Sequence, residues 1–272
     1  MSLNIPQLLR THGLRPDKRL GQNFLVDDSH LERIVEAAGV QPGDEVLEVG
    51  PGLGSLTRHL SAAAQRVVTV ELDADLLPVL RSVLADHANV EIVHGDILKV
   101  DLRQHFSQPG FLVIANIPYY LTSNLIRHLL EGAPRPARLA LTVQKEVAQR
   151  ACAGPPDMSL LSLSVQLYGQ PKLVHHIPAG AFYPAPKVDS ALLLIDLYDQ
   201  PALPAEQVSA LFTVAKAAFA QKRKTLANSL AAMPGLDKPR AAASLQAAGI
   251  DPLRRPQTLS LAEWGALLEA VS

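Results

Sequence analysis

The chain has 272 residues, of which 48% are hydrophobic and 19% charged, enough to bury either one large core or a large and a small one. A single cysteine, Cys152, excludes a disulfide framework and a thiolate metal centre, and no apolar run reaches membrane-spanning length. The formal net charge of −1 decides nothing as a total, so the distribution of charge has to be read.

The first segment, MSLNIPQLLRTHGLRPDKR, lacks the basic start, apolar middle and small-residue cleavage site of a secretory signal. With the lone cysteine this gives an expectation of a cytoplasmic protein. Through about Asp28 the chain reads as an arm or short helix lying over a sheet. Short Val-, Leu- and Ile-rich runs then alternate with stretches long enough for crossover helices: Asp44–Gly50, Arg66–Leu72, Val90–Asp96, Phe111–Asn116 and Arg138–Gln144. Runs apolar on both faces suit a parallel sheet covered by helices, so the predicted class is α/β. Two further candidates, Lys172–Ile177 and Ser190–Leu197, flank a Pro-rich turn and predict an antiparallel hairpin at one edge.

Beyond Leu197 the texture changes. A Pro-rich linker, YDQPALPAEQ, leads into Ala- and Leu-rich sequence with helical spacing, broken at Pro234–Gly235, Gly249 and Pro256. This predicts a small all-helical domain of about three to five helices. The predicted domains are 1–198, with 1–28 as the arm, and 199–272. From Pro201 onward cations exceed acids by three. The sharpest cluster is Lys222-Arg223-Lys224 in QKRKTLANSL, readable as a solvated helix start or as a phosphate contact.

In an open parallel sheet, ligands bind beyond the carboxyl ends of the strands, and the unusual polar residues fall there. The first strand runs into EVGPGLGSLT, where Gly50, Gly52 and Gly54 allow a close backbone approach and a sharp turn into a helix. A dinucleotide fingerprint would place its third glycine at Ser55, so the spacing disfavours NAD. The second strand ends at Glu71, placed to accept ribose hydroxyls, and the third at Asp96, placed to accept from an adenine amine. Either acid alone could be a helix cap or a solvated carboxylate. Three successive strand ends bearing a glycine cluster, Glu and Asp favour a nucleoside-containing cofactor.

The fourth strand ends in Asn116-Ile117-Pro118-Tyr119. An exocyclic base amine is a poor nucleophile because its lone pair is conjugated into the ring. Acceptors that bind its N–H groups in a tetrahedral direction localise that pair. The Asn116 side-chain oxygen and a carbonyl near Ile117 can serve, Pro118 stiffens the turn and adds no donor, and Tyr119 can stack on the base. In-line transfer from a sulfonium needs orientation and desolvation more than a base or a metal. A paired base must be extruded to be reached.

Read together, KRLGQNFLVD, LEVGPGLGSLT, VELD, GDIL, NIPYYLTS, VQKEVAQR, FYPAPKVDSA and QKRKTLANSL, in this order and over almost the whole chain, resemble the small-subunit ribosomal RNA adenine dimethyltransferases. The resemblance implies a Rossmann-like class I methyltransferase sheet and S-adenosylmethionine as cofactor. It also implies dimethylation at N6 of two adjacent adenosines in the 3′-terminal hairpin of small-subunit rRNA. The partner would be that RNA within an immature small-subunit particle, with no membrane and no metal, and with a monomer as the default. By the same resemblance Asn23, Leu25, Gly50, Gly52, Glu71, Asp96 and Asn116 would line the cofactor site. Asn116, Pro118 and Tyr119 would hold the adenine, and Phe182 would cover its other face.

Alternatives stay open at this point. Methyltransferases of the antibiotic-resistance type, acting on large-subunit rRNA, share the arm and the N-I-P-Y turn, although RKTLANSL is closer to the small-subunit group. A DNA or protein-amide methyltransferase, and an RNA-binding assembly factor without activity, are the other classes. Where the family more often has an aromatic residue followed by Gly, this chain has Met158 to Ser162, MSLLS. Phe182 also reads as a core aromatic and Trp264 as core packing. His175 and His176 alternate in a strand with no ligand-spaced partner, and Cys152 reads as an inert thiol.

Overall fold

The computed structural model describes residues 3–118, 121–221 and 223–271. Elements in chain order are α1 (Ile5–Thr11), β1 (Phe24–Leu25), α2 (Asp28–Ala38), β2 (Glu45–Val49), α3 (Ser55–Ala63), β3 (Arg66–Glu71), α4 (Leu77–Val83), β4 (Val90–His94), β5 (Leu112–Asn116), α5 (Thr122–Glu131) and β6 (Arg138–Gln144). They continue with α6 (Lys145–Cys152), α7 (Leu160–Gln166), β7 (Gly169–Ile177), β8 (Phe182–Tyr183), β9 (Ser190–Leu197), α8 (Ala205–Phe219), α9 (Leu226–Leu230), α10 (Lys238–Ala247) and α11 (Leu261–Val271).

Seven strands form one sheet in the order β4-β3-β2-β5-β6-β9-β7. The five from β4 to β6 pair in parallel, and β9 joins β6 antiparallel, with Leu139 opposite Ile195. This is the α/β sheet with the expected antiparallel edge. Val46, Leu47, Val67, Val68, Val113 and Ile114 are fully buried on alternate faces, as central parallel strands require. Helix α2 is held at its start by Asp27, whose side chain accepts from the Ser29 N–H, and stops at Gly39 in the left-handed region. Arg138 donates to the Ala38 carbonyl at that end (2.9 Å) and to Asp196 on β9 (2.6 Å).

The two ends of the sheet differ in kind. At the amino ends, Arg66 binds Glu45 at 2.8 Å and Glu91 at 2.6 Å, stitching three strands together. At the carboxyl ends the polar groups face a cavity instead. A separate two-stranded sheet joins the arm to a distant loop, with Phe24 opposite Tyr183 and Leu25 opposite Phe182.

The chain divides into two compact units, residues 1–148 with 171–197, and residues 149–170 with 198–272. The break after Leu197 coincides with the predicted linker. The inclusion of Gln149–Gln170 in the second unit differs from the single cut expected at 198. Backbone hydrogen bonds explain it: the Met158 N–H donates to Gln257, Tyr198 to Tyr168, and Ala202 to Leu167. In the MSLLS stretch, Ser159 and Ser162 cap the start of α7 reciprocally and Met158 is buried, so the departure from the family pattern builds a helix start. Trp264 is fully buried and stacks on Phe219 in this second unit, as expected. No helix among the described residues is long and apolar enough to cross a membrane.

Candidate active site

At the carboxyl ends of β2 to β5 a cavity opens. Its floor is Gly50 to Gly52 after β2, Glu71 and Leu72 from β3, Asp96 and Ile97 after β4, and Asn116 to Pro118 from β5. The arm closes the opposite side with Gln22, Asn23, Phe24 and Leu25.

The glycine turn is fixed by the arm. Gly52 has φ +58, and a Cβ there would come within 2.8 Å of the Phe24 ring. The bare backbone is therefore needed for close packing as much as for the left-handed conformation. Its N–H donates to Glu71 Oε2 at 3.0 Å. The other carboxylate oxygen accepts from the Asp73 N–H at 2.8 Å. Burial pushes the Glu71 carboxyl above its ordinary value, and these two N–H groups partly offset the shift.

The network runs back into the arm. Asp73 accepts from Gln22 Nε2 at 2.6 Å, and Gln22 Oε1 accepts from the Asp17 N–H at 2.8 Å. Gln22 thus links the arm to the turn that carries Glu71. Asp96 lines the cavity while Oδ1 accepts from the Leu98 N–H at 3.1 Å, so it caps its own turn as well.

Glu48 sits deeper, with only 1% of its surface exposed, and lines the same cavity. The hydroxyls of Thr57 and Thr69 lie beside it and favour the charged form without closing well-formed bonds, and Oε2 has no hydrogen-bond partner. Burial pushes this carboxyl up to about 7. Glu48 opens the EVGPGLGSLT motif, which was the signal available for it in the sequence.

Asn116 ends β5 facing the cavity. Its Nδ2 donates to the Asn23 carbonyl at 3.0 Å, which assigns the amide orientation and leaves Oδ1 as the acceptor end, with no partner among the described residues. Asn23 is itself held by donating to the Gly21 carbonyl at 3.0 Å. The Ile117 N–H bonds to Thr142 and the Leu121 N–H to the Pro118 carbonyl, fixing the turn.

Asn23, Leu25, Gly50, Gly52, Glu71, Asp96, Asn116 and Pro118 therefore converge on one cavity. Tyr119 and Lys222 lie outside the described residues. Phe182 is 4% exposed and packs with Ile177 and with Leu25, which itself lines the cavity. Side chains alternate along a strand, so β8 turns Phe182 inward and leaves Tyr183 40% exposed. Arg223 and Lys224 are exposed in the second unit. Missed residues include Gln22, Glu48 and Ile97; Gln22 and Ile97 directly adjoin the motif residues Asn23 and Asp96, which was the available signal.

The cavity's chemistry fits S-adenosylmethionine. Carboxylates at two neighbouring strand ends can accept from hydroxyl and amine groups, and apolar Leu72 and Ile97 lie between them to cover a ring.

A family model described as ribosomal RNA adenine dimethylase matches residues 13–267. The chain is 40% identical, over 97% of its length and 95% of the relative's, to the ribosomal RNA small subunit methyltransferase A of Alkaliphilus metalliredigens. It is 42% identical, over 98% and 95%, to the protein of the same name from Pelotomaculum thermopropionicum. Among solved structures it is similar to the 23S rRNA methyltransferase ErmE (TM-score 0.73, 29% identity, 91% of this chain and 99% of that one). A dimethyladenosine transferase from Plasmodium falciparum is also similar (TM-score 0.76, 25% identity, 89% and 94%).

Proposed function

The chain belongs to the ribosomal RNA adenine dimethylase family, and from that membership we propose that it methylates N6 of two adjacent adenosines in the 3′-terminal hairpin of small-subunit rRNA. It is an S-adenosylmethionine-dependent rRNA adenine dimethyltransferase. Relatives at 40% and 42% identity bear the small-subunit name, whereas the large-subunit enzyme ErmE stands at 29%. The acting form is a cytoplasmic monomer working on an immature small-subunit particle, without a metal.

The observation that supports the reaction best is the Asn116 amide, turned by the Asn23 carbonyl so that Oδ1 is left to accept. When bound, S-adenosylmethionine supplies an electrophilic sulfonium methyl group. Glu71 accepts from its ribose hydroxyls and Asp96 from its adenine amine; Gly50, Gly52, Asn23 and Leu25 shape the wall. Asn116 Oδ1 and the Ile117 carbonyl accept the two N–H bonds of the target amine, which turns the nitrogen lone pair toward the methyl. Pro118 holds that turn rigid, and Tyr119 stacks on the extruded base. Phe182, paired with Leu25 across the short sheet, covers the other face of that base. Lys222, Arg223 and Lys224 in the helical unit contact RNA phosphates.

The test is incubation with labelled S-adenosylmethionine and, in parallel, undermethylated small subunits, large subunits and DNA, followed by nucleoside analysis. Label in dimethyladenosine of the small subunit alone supports the reading; label confined to the large subunit or to DNA overturns it.

A further inference from the structure

Leu253 is 75% exposed, while the other exposed large hydrophobic side chains among the described residues lie between 39% and 47%. A lone exposed leucine needs no explanation. Its frame does.

The loop that bears Leu253 is held on both sides. The carbonyls of Pro252 and Arg254 accept from the N–H groups of Ala227 and Leu226, at 3.3 and 2.8 Å, which docks the loop against the first turn of α9. The Leu253 N–H donates to Asp251 Oδ1 at 2.9 Å. The Arg254 side chain is tied down by Glu263 and Thr258. An apolar side chain is thereby displayed from a fixed backbone, which is unlike a frayed or mobile tip.

The same docking sets the neighbours. Leu226 follows Lys224 by two positions, so the loop abuts the end of the basic run, and Arg255 follows Leu253 by two. Arg223, Lys224 and Arg255 are exposed and have no ion pair among the described residues. Unpaired cations around a rigid apolar point match a polyanion that also offers apolar surface. RNA does so: its wide, shallow minor groove presents sugar faces and base edges between phosphate rows. A protein surface would call for acidic residues opposite these cations and gives no reason for unpaired ones at the rim.

We propose that Leu253 is an apolar RNA contact, packing against the sugar faces and base edges of a minor groove whose phosphates are held by Arg223, Lys224 and Arg255. The proposal rests on the dimethyltransferase reading and adds a component of RNA affinity that does not depend on charge. Charge contacts weaken as salt rises because they release counterions; an apolar contact does not.

The experiment measures the affinity of the full chain for naked small-subunit 3′-terminal hairpin RNA across a salt series, for wild type, Leu253→Ser and Arg255→Ala. Leu253→Ser should weaken binding roughly tenfold at every salt concentration with the slope unchanged. Arg255→Ala should flatten the log–log slope by about one. Leu253→Ser with wild-type affinity on naked RNA overturns the proposal, as does an effect seen only on a ribosomal particle, which would make Leu253 a protein contact. Failure of the wild-type chain to bind the hairpin RNA while it binds a small-subunit particle would overturn the inference alone, and failure to bind either would strike the dimethyltransferase reading with it. Unfolding midpoints should not move, since Leu253 leaves the core intact.

Discussion

Asn116 at the end of β5 donates its amide hydrogen to the carbonyl of Asn23 in the arm, 3.0 Å away and 93 positions earlier in the chain. The arm therefore does more than cover the cavity: it fixes the orientation of the amide, and under the proposed role this sets which end meets the substrate. Asn116→Ala is expected to lower single-turnover methyl transfer by on the order of a hundredfold or more, as when one preorganised polar contact to a reacting centre is removed. Donor affinity measured by calorimetry should change by only a few fold. Near-normal turnover would refute the role given to this amide.

Glu71 has two jobs, because its carboxylate accepts from Gly52 and Asp73 while lining the cavity. Glu71→Ala should weaken S-adenosylmethionine binding and lower folding stability by about 1–3 kcal/mol, since two N–H groups lose their acceptor. RNA affinity should be unchanged. Calorimetry returning the wild-type donor affinity would count against the ribose assignment.

Glu48 gives a pH dependence with a definite sign. The carboxyl titrates near 4.5 when unfolded and near 7 when folded. As pH climbs through that window the unfolded chain releases its proton first, so folding stability falls, by about 3 kcal/mol in all, and levels off above pH 7. Glu48→Gln should lessen this slope in the chain without donor, leaving the part that the raised Glu71 carboxyl contributes. Denaturation profiles of equal slope for the two proteins between these pH values would show that the buried carboxyl is not the source.

Phe182→Ala should behave as a core deletion, costing about 3–5 kcal/mol. The remaining folded enzyme should show a lowered melting point before any specific loss in the chemical step. Full stability with methyl transfer abolished would show that Phe182 acts on the base and contributes little to the core.

Replacing Lys222, Arg223 and Lys224 together with Ala should flatten the salt dependence of RNA affinity by about two to three in log–log slope. An unchanged slope would return the cluster to a solvated surface.

How much of the molecule its sequence reveals depends on which interactions are local. The strand ends at Gly50, Glu71, Asp96 and Asn116 were legible because each terminates an apolar run of strand length, and open parallel sheets collect function there. The identity of the substrate was not legible from those positions and came from longer motifs. The burial of Phe182 against Leu25 was not legible, because its orientation depends on β8 pairing with β1 across more than a hundred residues. Glu48 opens the quoted glycine motif but was given no role, because a lone acid in a buried strand gives no periodic signal. Gln149–Gln170 was assigned by sequence adjacency, whereas Met158, Leu167 and Tyr168 bond to residues beyond the linker. A linear reading cuts a chain once, but this chain leaves its first unit and returns.

The pairing of Phe24 with Tyr183 has a consequence for how the protein is made. The arm is made before the large sheet, yet its partner strand is made only after six of that sheet's seven strands, β2 to β7. Until then the arm lacks the strand pairing that helps to seat the Asn23 carbonyl and the Phe24 ring. A nascent chain cut short before Tyr183 should thus hold most of its sheet residues and still be unable to retain a methyl donor.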